Sequence, residues 1–153
     1  MTPHAKQPTR RRARPFADAS GSTMVELLVV ILIVGILAMI ALPAFLSQRT
    51  KGEDSEAQLT LRTTAVALAT YHTDHATHDA TKAELLAIEP ALGEATAELA
   101  VSGTADSFTI SERSAGGTTF TLARAPDGTT TRSCSDPGRG LCRDAVGADG
   151  NRW

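Results

Sequence analysis

The stretch Ser20–Arg49, SGSTMVELLVVILIVGILAMIALPAFLSQR, decides how the rest of the chain is read. No charged residue occurs from Leu27 to Leu46. At 1.5 Å per residue that run makes about 30 Å of apolar helix, the thickness of a bilayer's hydrocarbon core. Its Val and Ile content favours strand weakly, but its length and lack of alternation predict helix. Glu26 sits just outside the N-terminal edge, Gly35 lies within the run, and Pro43 stands near its far end. Proline has no N–H to give and crowds the preceding turn, so a kink is expected near Met39–Pro43.

On the N-terminal side, residues 1–21 hold five Lys and Arg (Lys6, Arg10, Arg11, Arg12, Arg14) and one acid, Asp18. That is a net +4, which leaves −6 for the remainder of a chain whose overall charge is −2. The basic side of an apolar span stays in the cytoplasm, which sends the acidic remainder across the membrane. An acidic body is repelled by phosphate, so direct nucleic-acid binding by the subunit alone is not expected. The small residues Ala19, Ser20 and Gly21 precede the apolar run, the reverse of the order in a cleaved secretory signal. Cleavage at this site would leave the hydrophobic segment on the mature chain.

On the C-terminal side the helix is expected to continue to about His75. Ala57, Leu61, Ala65 and Leu68 recur at spacings of 4, 4 and 3, with Glu53, Asp54, Glu56 and Arg62 elsewhere on the circumference. Thr81 with Glu84 three residues on forms a capping box that opens a short helix over Lys82–Ala87, and Pro90 ends it. Alternation then changes to a period of two. Phe108 and Ile110 alternate with Thr109 and Ser111, and Phe120 and Leu122 with Thr119 and Thr121. Gly116-Gly117 between them predicts a hairpin, and Pro126-Asp127-Gly128 a second turn into a strand over Thr129–Cys134. The four apolar side chains would pack on the Leu61/Ala65/Leu68 face. Residues 91–105 match neither period and receive no assignment; Ala145–Trp153 reads as loop. With 4% aromatic residues, the core must be small.

Cys134 and Cys142, in CSDPGRGLC, have neither the CxxC spacing of a redox motif nor enough partners for a structural zinc site. The turn residues between them could bring the sulfurs together. A disulfide in an oxidising compartment is the simplest reading, and two unpaired thiols are the alternative.

Gly21 followed by Ser22-Thr23-Met24-Val25-Glu26 and the apolar helix resembles the class III signal of type IV prepilins and pseudopilins. In that family a leader ending in Gly precedes a hydrophobic helix whose fifth residue is Glu. With Ser22 as the first mature residue, Glu26 is fifth, Gly35 fourteenth and Pro43 twenty-second, positions the family favours. Ser22 stands where the family usually has Phe. The resemblance implies an α+β, pilin-like fold: a long N-terminal helix, transmembrane in its first half and amphipathic in its second, packed on a small antiparallel sheet. It divides the chain into a cleaved leader at 1–21, a transmembrane and polymerisation helix at 22–48, and a soluble head at 49–153.

It further implies cleavage between Gly21 and Ser22 by a prepilin peptidase and N-methylation of Ser22. Assembly would run through Glu26, Gly35 and Pro43, with other pilin subunits, the pilus assembly machinery and the membrane as partners. A carboxylate in an apolar setting costs about 2.5–3.5 kcal/mol even on the lenient insertion scale, so Glu26 needs a partner. The neighbouring subunit's N-terminal amine would serve. The chain would wait in the bacterial inner membrane as a single pass with its N-terminus cytoplasmic, then enter an extracellular pilus or a periplasmic pseudopilus. A pilus subunit would serve adhesion, motility or DNA uptake. Two alternatives remain: a pseudopilin of a type II secretion system, and a monomeric membrane-anchored extracellular binding module. Such pseudopilins often carry acidic calcium ligands in C-terminal loops; Asp136, Asp144 and Asp149 are available, but Cys134 and Cys142 favour the pilus.

No catalytic constellation is visible. Ser133 and Ser135 flank Cys134 with no histidine nearby in sequence, and no enzymatic activity is expected. His72, His75 and His78, beside Asp74 and Asp79, invite a metal reading. At 100° per residue His72 and His75 share a face while His78 passes to another. A polar helix terminus is the better account, and no cofactor is expected.

Overall fold

A computed structural model describes residues 23–94 and 98–153 of the 153-residue chain. The proposed leader, with Gly21 and Ser22, lies outside the described residues. Helix α1, Met24–His75, runs unbroken through Pro43 for 52 residues. The chain divides into two units between Met39 and Ile40. Pro43 lies inside the helix in the second unit.

In the first unit the large apolar side chains of α1 are all exposed. This helix is long and apolar enough to cross a bilayer, where such exposure would suit residues solvated by lipid.

In the second unit the same helix becomes amphipathic. Asp54, Ala57, Leu61, Thr64, Ala67, Leu68 and Tyr71 are buried, a run of three- and four-residue steps along one face. Ala65, expected on that face, is half-buried at its margin. Asp54, expected on the outside, is completely buried. The helix ends on Ala76, whose backbone is left-handed (φ 54°) and whose N–H bonds the carbonyl of His72 at 2.8 Å.

Helix α2, Lys82–Ile88, begins at the Thr81/Glu84 capping box and ends one residue later than expected, with Glu89 as its C-cap before Pro90. A 3₁₀ turn follows over Pro90–Glu94. The sheet is a four-stranded antiparallel meander of β1 (Ala100–Gly103), β2 (Phe108–Arg113), β3 (Thr119–Arg124) and β4 (Thr130–Cys134), in sequence order. β1 falls inside the stretch that periodicity left unassigned.

Both glycine hairpins use one device. Gly117 N–H bonds Ser114 O at 2.8 Å and Gly128 N–H bonds Ala125 O at 2.9 Å. Each glycine has positive φ, as a three-residue hairpin loop ending in a left-handed residue requires. Register pairs Ile110 with Leu122 and Glu112 with Phe120. Cross-strand partners share a face, so Phe108, Ile110, Phe120 and Leu122 point together onto Leu61 and Leu68 and are buried with them. Strict alternation carries Glu112 into the same buried row.

Residues 145–153 form no regular element, yet they close the β4 edge. Arg152 N–H bonds Arg132 O at 2.9 Å, Arg132 N–H bonds Asn151 Oδ1 at 2.7 Å, and Trp153 Nε1–H bonds Ser133 O at 2.8 Å. Trp153 is buried edge-on against Phe120, with the Arg132 guanidinium 5.5 Å from its ring centre. Hydrogen-bonding groups that an open edge would leave free are thereby satisfied.

Candidate functional site: the apolar helix and its anchoring in the head

Thr23 and Glu26 form a second capping box, which the sequence reading passed over. Glu26 N–H bonds Thr23 Oγ1 at 3.2 Å, and Thr23 N–H bonds Glu26 Oε2 at 3.3 Å. The first backbone donors of a helix lack partners, and these two bonds satisfy two of them reciprocally. Glu26 therefore has a local partner within its own chain, and its carboxylate sits where the helix dipole favours negative charge. The T-x-x-E spacing was the signal, the same one recognised at Thr81 and Glu84.

Gly35 is exposed, and a side chain there would meet nothing within 4 Å. A helix-interior glycine costs roughly 1 kcal/mol relative to alanine. No packing among the described residues requires it. Pro43 likewise serves no turn or cap here. Gly35 belongs to the first unit, and among the described residues of that unit neither it nor Glu26 is brought to another site residue.

Asp54 anchors α1 in the head. Its carboxylate accepts Ser114 Oγ–H at 2.6 Å from the β2–β3 loop and Leu141 N–H at 2.9 Å from the cysteine loop. Gly140, with φ 58°, lets that loop approach, since a Cβ there would run into the Asp54 carboxylate. Cys134 and Cys142 are disulfide-bonded, with Cα atoms 5.8 Å apart. The loop they close also meets the hairpin: Thr119 N–H bonds Ser135 Oγ at 3.0 Å, and Arg139 Nη2–H bonds Gly116 O at 2.8 Å.

The histidines are arranged differently from the expectation. His78, not His75, lies against His72, with ring centres 4.3 Å apart. His75 stacks on Tyr71 at 4.0 Å. The left-handed turn at Ala76 folds the chain back, so counting 100° per residue past His75 fails. His78 is buried against Phe108, and its Nδ1 lies 3.1 Å from Ala105 O. Nearby, Tyr71 O–H donates to Glu84 at 3.2 Å. Burial, then that bond and the negative charge, raise the tyrosine's pKa, while the Thr81 hydroxyl and N–H hold Glu84 below the usual carboxylate range. Two of the three C-terminal acids are used in turns, and Asp144 accepts Arg152 Nη1–H through its backbone carbonyl at 2.8 Å. Asp136 accepts Ser135 Oγ–H, Asp149 accepts Asn151 N–H, and the Asn151 bonds lower the pKa of Asp149. Among the described residues no group of three or more His, Cys, Asp or Glu is placed to hold a metal.

Compared with known proteins, the chain matches no family model and no curated protein sequence.

Proposed function

We propose that this chain is a structural subunit of a type IV pilus-like filament, processed by a prepilin peptidase between Gly21 and Ser22 and polymerised through its apolar helix. The observation that carries the reading is the outward-facing apolar stretch Met24–Leu46, borne on the helix whose later residues are buried in the head. A plain anchor needs only length. Here a lone acid stands at the first turn and an unused glycine lies in the span, and both suit helices that leave lipid to pack on one another.

Glu26 then has two successive partners. In the bilayer the Thr23 capping box satisfies it at the membrane edge. In the filament a neighbouring subunit's N-methylated Ser22 amine competes for the same carboxylate and sets register between subunits, with little net gain in stability. Other subunits, the assembly machinery and the inner membrane are its partners, and the head displayed outside serves adhesion, motility or DNA uptake. The closed cysteine loop and the use of Asp136 and Asp149 in turns favour a pilus over a secretion pseudopilus. The test is recovery of the chain in fibres sheared from producing cells, with and without Glu26→Gln. The proposal expects fibres from the unaltered chain and a loss of at least tenfold from the variant, both chains reaching the membrane equally. A chain that stays membrane-bound and never enters a sheared fraction would be an anchored module.

A further inference from the structure

Asp54 is the one completely buried acid on the described part of α1, and no cation lies within ion-pair distance of it among the described residues. A carboxylate withdrawn from water this way depends on the donors that replace its hydration. It has two. Ser114 Oγ–H comes from a hairpin loop fixed by its own backbone bonds. Leu141 N–H comes from the residue next to Cys142, in a loop without regular structure whose end is tied to β4 by the disulfide.

Bonds at Ser135 and Arg139 hold the beginning and middle of that loop against the hairpin. Its end is closed on itself by Gly138 N–H to Cys142 O and Cys142 N–H to Arg139 O, both 2.9 Å, and Arg143 N–H bonds Arg152 O at 2.9 Å. The disulfide is the covalent tie among these, joining buried Cys142, next to Leu141, directly to the end of β4.

We infer that the Cys134–Cys142 disulfide and Asp54 form a redox-dependent lock on helix α1. With the disulfide closed, Leu141 N–H sits on the Asp54 carboxylate and water is excluded. A dithiol reductant gives two electrons and two protons to the S–S bond. It leaves Cys134 and Cys142 as thiols and is itself oxidised to a disulfide. The loop end is then held by its backbone bonds alone, water competes with Leu141 N–H for the carboxylate, and α1 opens locally around Asp54 while the sheet stays folded. A head that has not yet reached an oxidising compartment would thus keep this part of the helix loose. The lock acts whether or not the chain polymerises.

Hydrogen exchange of the full chain in detergent micelles, read by mass spectrometry, tests it. On mild reduction, peptides covering residues 50–61 should exchange at least tenfold faster, while those covering 108–124 keep their protection. Asp54→Asn offers an N–H₂ group to one of two donors. In its oxidised form it should exchange over 50–61 like the reduced unaltered chain, and reduction should add little more. Ser114→Ala, which leaves Leu141 in place, should keep most of the response to reduction and serves if Asp54→Asn does not fold. Faster exchange confined to 135–142 would overturn the lock. So would uniform loss of protection across the head, because the disulfide would then be a global staple. Full additivity of Asp54→Asn and reduction would overturn it as well.

Discussion

Between Met24 and Leu46, helix α1 turns its large apolar side chains outward, from 49% exposed at Val29 to 85% at Met24, whereas Leu61 and Leu68 on the same helix are at 0%. Composition already separates the two regions: Leu27–Leu46 carries no charge, whereas Glu53, Asp54, Glu56 and Arg62 punctuate the second. What surrounds them differs too. The head supplies Phe108, Ile110, Phe120 and Leu122 to cover the second region, and among the described residues the large apolar side chains of the first stay exposed. A helix that is apolar all round must find its solvent in lipid or in other helices, and one that is apolar on a single stripe can be completed by its own sheet.

Truncation should break this contrast most sharply. Leu61→Ala or Phe120→Ala removes a fully buried side chain and should cost the head about 3–5 kcal/mol. Leu32→Ala in the outward-facing region should leave head unfolding unchanged. Thermal or denaturant unfolding of the full chain in detergent, followed by the fluorescence of Trp153 against Phe120, measures both. Next comes the disulfide. Replacing Cys134 and Cys142 by Ser should act as reduction does, speeding exchange over residues 50–61 at least tenfold, about 1.4 kcal/mol of local opening, with residues 108–124 and the apolar stretch Met24–Leu46 unaffected.

Smaller still is the capping box of α2. Thr81→Ala should cost about 1 kcal/mol. Its partner adds a pH signature. Glu84 has its pKa lowered in the folded head by the Thr81 hydroxyl and N–H. Its contribution is therefore complete above the ordinary glutamate value of about 4.3 and is lost as pH falls through the lower folded value. Stability measured from pH 7 to 3 should decline on the acid side, and Glu84→Gln should flatten part of that decline. A variant with the same acid limb as the unaltered chain would remove Glu84 from the account.

Local chemistry was legible in the sequence, and features made by distant partners were not. The inward row Phe108, Ile110, Phe120 and Leu122 follows from a two-residue period, and the Thr81/Glu84 cap from a fixed spacing. Asp54 misled because periodicity sends a charge to water, and its burial depends on donors 60 and 87 residues away. β1 is a short edge strand containing Gly103, with little alternation or propensity to reveal it. His78 reaches His72 only because Ala76 turns left-handed, a conformation that a Gly or Asn would have announced. Trp153 is buried by strands it meets across the fold, in a segment whose local pattern says only loop. Of the candidate site, Glu26, Gly35 and Pro43 stood out by position. The role of Thr23 as the partner of Glu26 was spelled in the sequence and overlooked.

The contrast between a region the chain completes and a region it leaves open rests on one claim, that the open region is made for other subunits. The mass of the mature N-terminus tests that claim most directly, in chain purified from cells that make it alongside a prepilin peptidase. The account predicts a chain beginning at Ser22, carrying one methyl group on its amine and lacking residues 1–21. An intact chain beginning at Met1, in cells whose peptidase is active on other substrates, would contradict it.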